Sequence, residues 1–153
     1  MEPSDSIQPD EIILRRVPQD QMGSDTPRRP LPDGFDPHRT RDTDGLSVYR
    51  EKHHSAQEVA SLRTKPGKPT WIARITAKSI TDLGLTLRPD PREPEDGLPA
   101  RPGHALIVEL NSDMRKSDAV AQWKQQLLAS VISVEGGATG FAAPVALRPP
   151  RES

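Results

Sequence analysis

Cysteine is absent from this chain, which removes disulfides, thiolate nucleophiles and Cys-ligated zinc or iron–sulfur centres together. No apolar run approaches the roughly 20 residues needed to span a bilayer. The N-terminus, Met1-Glu2-Pro3-Ser4-Asp5, lacks the basic and apolar regions of a secretion signal. A net charge of −1 supplies no global field to attract nucleic acid or an anionic membrane. These absences describe a cytoplasmic protein with no membrane segment, no strong nucleic-acid signal, no metal site and no cofactor. Aromatic residues make up 3% of the 153 positions and hydrophobic residues 33%, beside 17 prolines, so the average composition leans toward disorder. The apolar residues are clustered, however, and a chain folds where they cluster.

Residues 1–34 carry six prolines (Pro3, Pro9, Pro18, Pro27, Pro30 and Pro32) among Asp, Gln, Ser and Arg. Proline removes a backbone donor and restrains the residue before it. The stretch therefore reads as a disordered, proline-rich leader. Asp10-Glu11-Ile12-Ile13-Leu14-Arg15-Arg16-Val17 is an island within it, with two readings. It packs on its own domain as a short strand or turn, or Ile12, Ile13 and Leu14 form a docking motif that adds to a partner's sheet edge.

Residues 35–148 read as a single small α+β domain, and 149–153 as a frayed tail. Asp44-Gly45 marks a turn, and Leu46-Ser47-Val48-Tyr49 alternates as a half-buried strand should. Ser55 and Glu58 have capping-box spacing ahead of a short helix with Ala56, Val59, Ala60 and Leu62 as its apolar stripe. Asp42-x-Asp44-Gly45 matches only the start of a calcium loop, because the later oxygen ligands do not follow.

Residues 71–110 hold the core unit. Trp71, Ala73, Ile75 and Ala77 share one face of a strand, opposite Ile72, Arg74 and Thr76, a pattern that suits a sheet covered on one side. A helical turn over 78–84, stopped by Gly84, leads to a second strand at 85–87, expected to neighbour the first. The proline-rich loop 88–103 follows, long enough to be either functional or disordered. Residues 104–110 then read as a strand buried on both faces. Val120, Trp123, Leu127, Leu128 and Val131 recur at helical spacing, so an amphipathic helix reaching about residue 133 covers a small mixed or antiparallel sheet.

No nucleotide-loop, nucleophile-elbow or zincin motif is present. The candidate site residues are His104 at the mouth of its strand, Tyr49, Arg50, and His53 or His54. Two functions remain open. The preferred one is a non-enzymatic accessory protein that engages a protein partner through its leader and proline-rich loop. The alternative is a small transferase-like enzyme or ligand-binding domain, in which arginine and histidine hold a phosphate- or nucleotide-bearing ligand beside tyrosine.

Overall fold

The computed structural model describes residues 6–18, 32–35, 43–62, 70–95, 98–114, 117–136 and 145–146. Seven strands form one α+β sheet: β1 (Ile12–Pro18), β2 (Leu46–Arg50), β3 (Thr70–Thr76), β4 (Leu87–Pro89), β5 (His104–Ile107), β6 (Ser133–Gly136) and the two-residue β7 (Val145–Ala146). Their order is β4-β5-β2-β1-β3-β6-β7, and every neighbouring pair is antiparallel. No helix among the described residues is long and apolar enough to cross a membrane.

The first difference from the sequence reading is β1. Its packing reading holds, and the strand takes the middle of the sheet. It pairs with β3 over seven positions, from Ile12 opposite Thr76 to Pro18 opposite Thr70, and with β2 at Ile13 and Leu14. Both edges of β1 are therefore occupied at Ile13 and Leu14, where both side chains are fully buried. They are core, and no free edge remains there for a partner's strand. The sequence average over 1–34 hid this, because prolines at the ends of an apolar island do not disturb the island itself. The rest of that leader and the 149–153 tail lie outside the described residues, apart from 6–18 and the 3₁₀ turn Pro32–Phe35.

Both faces of the sheet are covered, not the one that the alternation of β3 suggested, because Ile72 is as fully buried as Ala73 on the opposite face. On one, Ile13, Val17, Leu46, Val48, Ala73, Ile75, Ala105 and Ile107 pack with Phe35 and with helices α2 (Ala77–Thr81) and α3 (Asp118–Ser130), which contribute Ile80, Val120 and Leu127. On the other, Leu14, Tyr49 and Ile72 meet Ala56, Val59 and Ala60 of helix α1 (Ala56–Ser61). Fully burying side chains the size of Leu14, Ile72 or Val59 contributes about 1.5–3 kcal/mol each. The α1 capping box is present in both directions: the Glu58 amide donates to Ser55 Oγ, and Glu58 Oε1 accepts from the Ser55 amide.

Three further boundaries differ. The strands flanking α2 are not neighbours, because β1 and β6 already occupy the two edges of β3. Helix α3 ends at Ser130, short of the expected residue 133. There Val131 is extended and the Ile132 amide donates to Arg74 O, so the stretch 131–134, with β-branched Val131, Ile132 and Val134, turns into β6. Segment 88–103 also continues the β4–β5 hairpin: Arg92 pairs with Arg101 and Glu95 with Leu98 through reciprocal backbone bonds. The amides that pairing needs belong to Asp90, Arg92, Glu95, Leu98 and Arg101, and the prolines stand between them.

Residues ahead of β1 are pinned to both sides of the sheet. Ala77 donates to Glu11 O and Lys78 to Pro9 O, while Glu51 donates to Ile12 O. The Arg50 guanidinium, 2% exposed, grips Glu11 bidentately at 2.9 and 2.8 Å and also donates to Ser6 O. Removing one member of a buried pair strands the other charge. Glu11→Ala should therefore lower stability by about 3–5 kcal/mol. Asp82→Ala, which breaks the exposed Lys78–Asp82 pair, should cost under about 1 kcal/mol. Urea unfolding measures both, and an equal, small loss would contradict the role given to Arg50–Glu11.

Candidate functional site

Strand alternation sorts the sequence-predicted residues. Tyr49 and Arg50 are adjacent in β2 and so project to opposite faces. Arg50 goes to Glu11 on the α3 side, away from the tyrosine. It does not belong to a Tyr–Arg–His site. His53 is exposed, and its neighbour His54 is the buried one. The residues that do converge are Tyr49, His54 and His104. The tyrosine ring meets both imidazoles edge-on, with centroids 5.7 Å from His54 and 5.3 Å from His104. Tyr49 and His104 are direct cross-strand partners, which puts them on one face.

Gly103 locks this cluster together. Its amide donates to His54 Nε2 at 2.9 Å, and its carbonyl accepts from the Arg50 amide. A Cβ at this position would lie 2.6 Å from His54 Cδ2 and 2.7 Å from His53 Cβ. Close approach of the histidine side chains is what requires glycine at this position. Because His54 Nε2 accepts, its proton sits on Nδ1, 3.8 Å from Glu58 Oε1.

His104 is 3% exposed and bonded at both ring nitrogens. Nδ1 donates to the Asp90 carbonyl and carboxylate, at 3.0 and 3.1 Å. That leaves Nε2 as an acceptor for the Ser47 hydroxyl, 3.1 Å away. Ser47 precedes Tyr49 by two positions, so its side chain lies on the same face. It is also the one residue of β2 that is not buried. Arg15 fixes the Ser47 backbone from the other side, donating to Ser47 O and Gly34 O where β1 and β2 part. Sequence reasoning missed Ser47 and Asp90. A serine at a polar position of an alternating strand reads as solvated, and Asp90 lay in a segment read as loop.

The arm beyond Asp90 adds charge. Arg92 pairs with Asp90 at 2.7 Å, and Arg101 pairs with Glu95 at 2.6 Å. Arg101 is 5% exposed, and its buried Nε–H meets no acceptor among the described residues. Burial is the main cause that pushes His54 below its ordinary value. The His53 and Arg101 charges act in the same sense, and Glu58 opposes them. Burial likewise pushes His104 down against the hydrogen bond and charge of Asp90, with Arg92 and Arg101 adding to the depression. Among the described residues, no group of three His, Asp or Glu side chains is placed to hold a metal ion.

The chain matches no protein-family model, and neither curated proteins nor solved structures show a significant match to it.

The two depressed histidines set a pH dependence. Unfolded imidazoles take up protons near pH 6.5, the native ones only lower, so their contribution is complete above about 6.5 and is lost as pH falls through the native values. Glu11 and Glu109 are lowered from 4.5 and act in a separate window, below about 4.5. The melting temperature should fall between pH 7 and about 5, and His104→Gln should make that fall shallower. Parallel pH curves for wild type and variant would contradict the assignment to His104.

Proposed function

We propose that the protein is a small ligand-binding or enzymatic domain, and that the cluster of Tyr49, His54, His104 and Arg101 receives a ligand carrying a phosphate or carboxylate group. One observation carries this reading: a buried guanidinium N–H at Arg101 with no acceptor among the described residues, close enough to both histidines to depress them. A buried donor without a partner costs about 1–3 kcal/mol, and more on a charged group. An anionic ligand oxygen relieves that cost, and guanidinium is the side chain best shaped for it. The arginine of the Tyr–Arg–His alternative is then Arg101, on β5's approach, in place of Arg50.

The accessory-protein reading retains one support, the arm past β4. Pro91, Glu93, Pro94, Glu95, Pro99 and Ala100 are exposed on a backbone held in hairpin register. A rigid, proline-bearing surface loses little entropy when a partner protein binds it.

Titration with inorganic phosphate, followed by the Arg101 Nε–H resonance in the wild type and by calorimetry in wild type and variants alike, tests the ligand reading. Phosphate should shift that resonance, and Arg101→Gln should weaken binding by about ten- to a hundred-fold, the worth of one or two charged hydrogen bonds. Lys78→Ala, at an exposed lysine on α2, should leave it unchanged. Phosphate binding that survives Arg101→Gln would sink the reading. An arm partner is separable, since Glu93→Arg should lose it and leave phosphate binding intact.

A further inference from the structure

We propose that Ser47 is a nucleophile, with His104 as its general base and Asp90 as the positioning residue that holds His104, and that the site cleaves an ester bearing an anionic group. The inference deepens the reading above and rests on it for the anionic group, which Arg101 would hold.

Three adjacent strands supply the three members. Ser47 lies in β2, His104 opens β5, and Asp90 follows β4, its amide donating to the His104 carbonyl. The hydrogen bonds run in one direction, from Ser47 Oγ to His104 Nε2 at 3.1 Å and from His104 Nδ1 to Asp90 Oδ2 at 3.1 Å. A nucleophile, a base within hydrogen-bond reach and an orienting third group are recognised by this geometry, whatever the fold or chain order. The Asp90 carbonyl accepts from the same Nδ1, so the tautomer that leaves Nε2 basic is doubly fixed. Burial keeps that imidazole neutral at pH 7, the state a base needs. Access is one-sided: His104 is closed off, while Ser47 is half-buried among buried neighbours in β2.

The step balances with the groups present and water. Ser47 Oγ bonds to the ester carbonyl carbon as its proton passes to His104 Nε2. The carbon–oxygen bond to the leaving alcohol then breaks, and the alcohol takes that proton, leaving an acyl-Ser47 ester. Water attacks the acyl carbon, gives its proton to Nε2, and releases the acid as Ser47 Oγ is reprotonated.

A fluorophosphonate tests the assignment without a known substrate, because it forms an Oγ–phosphorus bond and expels fluoride at an activated serine. The intact protein should gain one adduct, mapped to the peptide containing Ser47. Ser47→Ala should gain none, and His104→Gln should label about 10²- to 10⁴-fold more slowly. The wild-type rate should fall at acid pH, following one ionisation that lies below the ordinary imidazole value of about 6.5, and Asp90→Asn should move that ionisation as well as the rate. A merely structural role for Asp90 would leave the midpoint in place. If His104→Gln does not fold, the wild-type pH profile decides, and a flat profile overturns the assignment. No adduct, or an adduct on another serine, overturns it as well. Phosphate binding at Arg101 is scored on the same samples: binding without Ser47 labelling removes the nucleophile and leaves the ligand site, whereas labelling without phosphate binding removes the anionic-group specificity.

Discussion

The whole sheet depends on the seating of β1. Three strands lie on one side of it, β4, β5 and β2, and three on the other, β3, β6 and β7. Among the described residues no other strand joins the two sets. The pairing is lopsided, with seven partners on β3 and two on β2. The weaker seam is reinforced by side chains, Arg50 on Glu11 at its near end and Arg15 on Ser47 O and Gly34 O where the strands diverge. An ion pair this buried is poor at adding net stability but severe when half of it is lost. It therefore enforces one register of β1 against β2. A one-residue slip would turn every β1 side chain to the wrong face.

That register also builds the site. Holding Arg50 on the α3 face commits Ser47 and Tyr49 to the other, opposite β5, which brings His104 into reach of both. His54 is then drawn in by the Gly103 amide, a contact that exists only because Gly103 has no side chain. The hairpin arm supplies Asp90 and Arg101 from either side of its ladder. Fold and site thus share one seam, and stability changes there will carry over into the histidine cluster.

Local patterns in the sequence were legible wherever one segment settles its own conformation. The Ser55–Glu58 capping box and the Gly84 turn appear as read, whereas the strand read over 104–110 stops at Ile107 and Ile72 is buried on the β3 face read as open. His104 and Tyr49 were legible for the same reason, each sitting at a strand boundary. The parts that were not legible depend on distant partners. Glu11 and Arg50 are 39 residues apart and Ser47 and His104 57, and nothing local in the sequence pairs either couple. Val131 extends the helical stripe of α3 in sequence, yet its amide bonds back to Leu128 O and the next residue joins β3. Proline counting failed at β1 and at the arm alike, because the prolines fall where the ladder asks for no donor.

Residue-resolved amide hydrogen exchange of the native protein tests the seating of β1 most directly. A strand that joins two halves of a sheet opens only when the sheet does. The amides of Ile13, Leu14 and Val17 should exchange as slowly as those of Ala73 and Ile75 in β3. Exchange of the β1 amides at rates near those of an unstructured chain, with β3 still protected, would contradict it.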